Sequence, residues 1–467
     1  MIGRTKSDKH LSLRFWFLAA FIVFVFLIGG ASRADSIYLL VLRPVAILVC
    51  GAAIIALPKG ALGSYKTLAW LGGAIIALPL LQLIPLPPGL AHLLPGHGLI
   101  ADIDKAAGID AWRCITMVPS ATRNALFSLS VPLAAFLLGI SIPREEQQRI
   151  LPIVLILGLV SALIGLLQAV GTSSSPLYFH ELSNDGSAIG LFVNRNHHAY
   201  FLAGLFVMIG TLAAVYARTP QAQSLFGWIA LVVAIAMIPF ILITGSRSGL
   251  AVALVGILAG GAAYRLGTRS IRVAVKKRSG MKSYLAYVGA AVAACVLVML
   301  SIMFSRAMSI ERLAAPGQLD DLRFSLWMPT LEAARSYFPF GSGMGSFVEV
   351  YQIQEAHDML GLSYINHAHN DWLEMLMTGG LLGGAVLAVI VVAWAMVSAK
   401  VWLGRGANST DDIYARLGST VLLLFAIGSF SDYPLRTPSI MVLAVMAALW
   451  MNVPFRLPAK SPLGSEK

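Results

Sequence analysis

Charge is scarce in this chain. Of its 467 residues only 12% are Asp, Glu, Lys or Arg, roughly half the share found in soluble globular proteins, so a water-soluble fold is excluded. Cysteine is nearly absent. Cys50 and Cys295 lie in apolar runs and Cys114 in a polar loop, which leaves no metal-binding spacing and predicts no structural disulfide. No internal repeat, low-complexity tract or soluble domain is visible. Strict alternation of polar and apolar residues is missing, which argues against a β-barrel. The first apolar stretch, Phe15 to Gly30, is not followed by a small-residue cleavage site and a polar mature domain. It is therefore read as a membrane span rather than a signal peptide.

What the chain has instead is apolar sequence: 58% hydrophobic residues and a mean hydropathy of +0.79. Runs of roughly 20 apolar residues recur, each long enough to cross about 30 Å of hydrocarbon as a helix. The fold class is therefore all-α, a polytopic integral membrane protein with about twelve transmembrane helices. The spans fall near 15–30, 37–57, 68–84, 125–142, 150–170, 198–217, 226–244, 249–265, 284–304, 372–398, 415–430 and 437–453.

Charge asymmetry orients these spans. With the N-terminus in the cytoplasm, about 22 of the 34 Lys and Arg fall on the cytoplasmic side, and about 16 of the 22 Asp and Glu fall outside or at the outer edge. The basic run 265–282 is an inner topological anchor, with binding of anionic lipid as the alternative. The net charge of +12 thus reports topology, and no nucleic-acid partner is expected. Both termini lie in the cytoplasm, and the long outer segments are 85–124, 171–197 and 305–371. Three regions follow: N-terminal helices and outer loops (1–190), a central region holding the functional motifs and the loop 305–371 (191–436), and a last helix with a cytoplasmic tail (437–467).

Polar groups cluster on the outer side. "FVNRNHHAYF" (192–201) brings Arg195, Asn196 and His197 to the lip of the sixth span, as ligands or as a hydrated interfacial cap. "ITGSRSGLAV" (243–252) holds Arg247 beside Ser246 and Ser248. A capped helix N-terminus with an arginine suits a phosphate, a structural salt bridge being the other reading. In "DDLRFSLWMPTLEAARSYFPFGSGMGSF" (320–347), Leu322, Leu326, Leu331 and Ala334 suggest an amphipathic helix on the membrane surface. Arg323 is there either an anion ligand or a snorkelling residue. Gly341, Gly343 and Gly345 lack the Lys-Ser/Thr of a nucleotide loop and read as a flexible turn. "INHAHNDWLEM" (365–375) carries His367, His369, Asn370 and Asp371. The histidine spacing lacks the i, i+4 pairing of helical zinc sites, so His369 reads as a general base with Asn370 and Asp371 orienting it, or the whole stretch is a helix cap. Asp432 and Arg436, in "SDYPLRTPS" (431–439), close the site or pair with each other.

The ordered set "NRNHHA", "TGSRSG", an arginine and tryptophan followed by "FGSGMGSF", and "HAHNDWLEMLMTGGLLG" resembles the O-antigen ligase and polymerase superfamily of bacterial membrane glycosyltransferases, over residues 190–435. His369, separated from Gly379 by nine residues, matches the family's His-x9-Gly signature. The resemblance implies a GT-C-like architecture. It also implies His369 as the catalytic histidine, with Arg247 and Arg323 as diphosphate ligands. His367, a second histidine beside His369, is a departure that opens the choice of base. The implied reaction takes a glycan from an undecaprenyl-diphosphate carrier to a hydroxyl on the periplasmic face of the bacterial inner membrane, with neither metal nor cofactor. It would serve O-antigen, lipopolysaccharide or exopolysaccharide assembly, as polymerase, ligase or protein O-glycosyltransferase. Partners would be the carrier-linked donor, a glycan or lipid acceptor, membrane lipids and other assembly proteins. The rival class is a flippase of lipid-linked oligosaccharide, which should place charges near the bilayer midplane and show repeats.

Overall fold

The computed structural model describes residues 11–180, 184, 186–269, 325–355, 364–404 and 409–452. Over these the chain is helical apart from one two-stranded ribbon, and each predicted span within them falls on a helix. The predicted span 284–304 lies outside the described residues.

The helices used below are α1 (Leu13–Ile28), α2 (Leu39–Ile55), α3 (Lys66–Gln82), α4 (Gly98–Ala107), α5 (Pro119–Ser128), α6 (Ser130–Ile140), α7 (Leu151–Val170), α8 (Arg195–Tyr216), α9 (Pro220–Leu242) and α10 (Arg247–Gly267). They are followed by α11 (Trp327–Ser336), α12 (Phe347–Gln354), α13 (Asp371–Leu403), α14 (Thr410–Gly428) and α15 (Pro438–Met451). Strands β1 (Pro85–Leu86) and β2 (Arg113–Cys114) pair antiparallel. Among the described residues six helical stretches are long and apolar enough to cross a membrane: Pro119–Ile140, Arg144–Val170, α8, α9, α10 and α13. Helices α1, α2, α3 and α15 are shorter apolar helices.

Two cores hold the molecule. The larger is the bundle itself, in which Phe26, Tyr200, Phe201, Phe425 and Trp450 are fully buried. Helix α8 is buried along most of its length because glycines let α10 lie against it backbone to backbone. A Cβ on Gly210 would sit 2.4 Å from the carbonyl oxygen of Gly260, and one on Gly256 would sit 2.5 Å from that of Ala203. Small residues at such crossings are how membrane helices gain close packing without a hydrophobic driving force. The smaller core joins α11 and α12 to the first turns of α13 through Leu326, Ala333, Tyr337, Phe347, Tyr351, Ala368 and Met377. Part of the amphipathic helix expected at 320–347 falls within the described residues. Within the described residues the helix is Trp327–Ser336, and its buried residues face protein. Pro329 fits in its first turn, where no intrahelical N–H is needed.

Helix α13 differs from the single continuous span predicted at 372–398. It breaks at Gly380, whose φ of 58° and ψ of −148° no helix contains. The glycines at 341, 343 and 345 are likewise no loose turn. They form a loop whose amides repair the break: Ser342 N–H donates to Met377 O and Gly343 N–H to Thr378 O, while Leu381 N–H donates to Pro339 O. Gln82 adds bonds from its amide to Thr378 O and to Phe340 O, and accepts from Met344 N–H. Irregular backbone at membrane depth survives only where protein satisfies it, and here it does.

At the opposite end of the bundle Arg144 closes the C-terminus of α15. Its guanidinium donates to the carbonyl oxygens of Leu449, Trp450 and Asn452 and pairs with Asp411 at 2.8 Å. Arg144→Ala is expected to lower unfolding stability by about 2–3 kcal/mol, the scale of losing charge-assisted bonds to partners that stay buried. Thermal unfolding in detergent measures it, with Arg149→Ala as the comparison.

Candidate active site

Helices α8, α10 and α13 begin at one end of the bundle, and each begins with a side-chain cap. Asn194 Oδ1 accepts from Asn196 N–H at the start of α8, Ser246 Oγ from Gly249 N–H at the start of α10, and Asn370 Oδ1 from Leu373 N–H at the start of α13. Such caps fix where the helices start and so where the flanking side chains stand. Ser246 Oγ also donates to Asn196 Oδ1 at 2.7 Å, which ties the α10 cap to α8.

The turn between α14 and α15 inserts Asp432 among these ends. Its carboxylate is fully buried, accepts from the Tyr433 N–H at 3.0 Å and faces four side-chain donors. Asn196 Nδ2 lies at 2.5 Å and Asn194 Nδ2 at 3.1 Å from Oδ2, while His369 Nδ1 lies at 3.3 Å and His197 Nε2 at 3.6 Å from Oδ1. The two imidazoles are within ion-pair range but off the line of a straight hydrogen bond. The other nitrogen of His197 bonds Thr437 Oγ1 at 2.8 Å. Burial alone would raise the Asp432 carboxyl, but the two imidazoles outweigh it and hold it well below the usual carboxylate range. A depressed folded value means that its stabilising contribution is complete above the unfolded value near 4 and is lost only as pH falls through the lower, folded one. Taking the protein from pH 7 to 5 is therefore expected to leave this anchor intact. Any drop in thermal stability across that window that asparagine at 432 removes would contradict it.

A second buried carboxylate stands beside the first. Glu374, one turn into α13, is 3.0 Å from His367 Nδ1 and 3.1 Å from Arg436, and it accepts from the Ala368 N–H at 2.9 Å. Arg436 also pairs with Asp371 at 2.7 Å. Burial works against the Arg436 charge, and the two carboxylates overcome it and keep its pKa raised. Between the two carboxylates lies the ring of Tyr433. Its centroid is 4.2 Å from that of His367, 5.0 Å from His369 and 5.1 Å from His197, and its hydroxyl meets Asn366.

His369 itself is backbone-strained. Its φ of 50° is the only positive value at a non-glycine position among the described residues. Such a conformation costs on the order of 1–3 kcal/mol and persists where neighbours enforce it. Here Glu374 holds the residue before it, the Asn370 cap holds the residue after it, and Asp371 N–H donates to Ser429 O. The imidazole is partly open to solvent, with its Nδ1 side turned to Asp432.

The structure thus gathers His369, His367, Asn370, Asp371, Arg436, Asn196 and His197 into one site. Several roles differ from the sequence expectation. Asn196 and His197 are fully buried and hold Asp432 rather than facing open space. Asn370 is the helix cap. Asp432 and Arg436 do not pair with each other, because each has its own partners across the turn. Arg195 and Arg247 stand at the first helical positions of α8 and α10, and the Arg247 residue is exposed at the rim. Arg323 lies outside the described residues. Glu374 and Tyr433 were missed, although both sit inside quoted motifs. Their signal was a carboxylate three residues after Asp371 and an aromatic next to Asp432. Among the described residues no group of three or more His, Cys, Asp or Glu is arranged to hold a metal ion.

Residues 232–388 match the family model described as O-antigen ligase. The match runs from within α9 through Arg247 and the His367–Asp371 segment to just beyond the break in α13, and it supports the O-antigen ligase and polymerase superfamily read from the motifs. No curated protein matches the chain.

Proposed function

We propose that this chain, a membrane enzyme of the O-antigen ligase and polymerase type, transfers a glycan from an undecaprenyl-diphosphate carrier to an acceptor hydroxyl at the site around His369. The observation that carries the reading is the strained, partly open His369 with Nδ1 turned to a buried Asp432. A carboxylate in that place orients an imidazole, leaves Nε2 to accept a proton and stabilises the imidazolium that forms.

In this reading the acceptor O–H gives its proton to His369 Nε2 as the oxygen bonds to the anomeric carbon. The bond from that carbon to the diphosphate oxygen breaks, and the diphosphate leaves on its lipid. Arg247, with Arg195 at the neighbouring helix start and Arg323, meets the leaving charge, since a guanidinium fork bonds two phosphate oxygens at once. Arg436 stays with its two carboxylates and shapes the floor. The site faces the periplasm of a bacterial inner membrane, with both termini in the cytoplasm.

The test is transfer by the purified protein, using a lipid-diphosphate-linked oligosaccharide of the native host and three acceptors offered singly: a second lipid-linked unit, lipid A–core, and a serine peptide. Transfer to one of them is expected, and that acceptor assigns the branch. His369→Ala is expected to lose about 10²–10⁴-fold, the usual worth of a general base. Wild-type protein inert toward all three, or His369→Ala at full rate, would overturn the reading in favour of carriage of the lipid-linked glycan or of His367 as base.

A further inference from the structure

The segment between α3 and α5 carries an apolar face that no part of the described chain covers. It leaves α3 at Gln82, runs through the short helix Pro88–Ala91, α4 and the β1–β2 ribbon, and returns to α5 at Pro119. On α4, Leu99 and Ile103 are 50% and 54% exposed and stand four residues apart, one above the other on the helix surface. Leu90, Leu93, Ile109 and Trp112 extend the series, with Trp112 65% exposed. The charged residues Asp102 and Lys105 occupy another side of α4. Six large apolar side chains exposed within 23 residues is not the pattern of a water-facing loop.

The segment is also rigid. Asp104 is buried on the inner side of α4, and Arg113 of β2 binds it through two bonds, one of 3.1 Å, while His92 adds a third at 3.2 Å. Those bonds hold the Asp104 carboxyl below the usual carboxylate range, with the Arg113 hydrogen bond as the largest cause. The same segment is keyed into the site layer. A Cβ on Gly96 would fall 2.2 Å from the Tyr337 ring, and Met117 N–H donates to Ser342 O in the glycine loop that repairs α13.

We infer that α4 and Trp112 lie in the lipid headgroup region of the leaflet on the site side of the membrane, apolar face down. Three observations choose lipid as the occupant. The segment starts and ends at the site-side ends of α3 and of the apolar stretch Pro119–Ile140. The helix is amphipathic with a polar flank, as interfacial helices are. A tryptophan stands where the interface favours one. Through Gly96 and Met117, the bilayer surface then fixes the height of the glycine loop.

The experiment places a single NBD-labelled cysteine at Leu99, Ile103, Asp102 or Lys105, in full-length protein with Cys50, Cys114 and Cys295 replaced by serine, in phosphatidylethanolamine–phosphatidylglycerol nanodiscs. Circular dichroism and thermal unfolding first confirm that each labelled chain is folded. Labels at 99 and 103 are expected to be quenched at least several-fold more by nitroxide lipids than by iodide, and labels at 102 and 105 the reverse. Equal iodide quenching at all four positions would place α4 in water. Protection of 99 and 103 from both quenchers would mean that a protein, not lipid, covers the face. Either result overturns the inference, and neither depends on what reaction the site performs.

Discussion

Asparagine at position 432 lowers glycan transfer by about 10³-fold or more, with little change in KM for the donor. The expectation follows from what surrounds the carboxylate. Four side-chain donors point at it from two elements: two asparagine amides and one imidazole at the start of α8, and His369 ahead of α13. An amide is nearly the same size but replaces one acceptor oxygen by an NH₂. That group then meets an asparagine NH₂ or an imidazole N–H with no lone pair to offer. The anion that would stabilise a protonated His369 is lost, and the ring is free to adopt the other tautomer. Together these remove both the base and the electrostatic support of the step, each worth several kcal/mol in a buried site. The check is single-turnover transfer by the folded variant, with Asn194→Ser as a milder comparison. Activity within tenfold of the parent would mean that Asp432 is only a structural anchor.

Alanine at Gly380 destabilises the fold by about 2–6 kcal/mol. A Cβ there would lie 2.3 Å from the carbonyl oxygen of Pro339 and 2.5 Å from the Gly341 nitrogen. Both are backbone atoms held by hydrogen bonds, so neither can swing aside as a side chain would. The φ of 58° with ψ near −150° is closed to other residues as well. Backbone strain and overpacking each cost roughly 1–3 kcal/mol. Gly261→Ala is the control, because a Cβ there meets nothing within 4 Å and alanine suits a helix. Monodisperse yield and thermal unfolding in detergent separate the two. Equal stability of both variants would show that the break in α13 is not required.

Much of the architecture was legible because a bilayer imposes a simple rule. Apolar helical runs have to be near 20 residues, and their flanking charges are biased to one side. The helix starts near Ser246 and Asn370 were legible too, since capping is local chemistry, whereas the sixth span was placed from 198 and its cap at Asn194 was not read. What lay within one motif and depended on its neighbours in sequence was read well. His369 stood out in its motif as a candidate base, with His367 or a plain helix cap as the other readings.

Partnership was not legible. Nothing local says that Asp432 turns to His369 and His197 while Arg436, four residues on, turns to Asp371 and Glu374. A 3₁₀ turn at Pro434–Arg436 sends the two side chains to different partners. Nor does a glycine-rich stretch announce that its amides will fill a gap in a helix 35 residues away.

The sequence by itself determined that this is a helical membrane protein, roughly where its helices lie, and that Arg195, Arg247 and His369 stand at or beside helix starts. Those properties follow from hydrophobicity, capping and charge, which act over a few residues. Only the tertiary structure decided that two buried carboxylates flank one tyrosine, that α13 is broken and repaired by a distant loop, and that Asn196 and His197 are supports rather than contacts. The repair rests on close backbone approaches at Gly341 and Gly380, as the packing of α8 on α10 rests on those at Gly210, Gly256 and Gly260, and such approaches have no signature in any single stretch of chain.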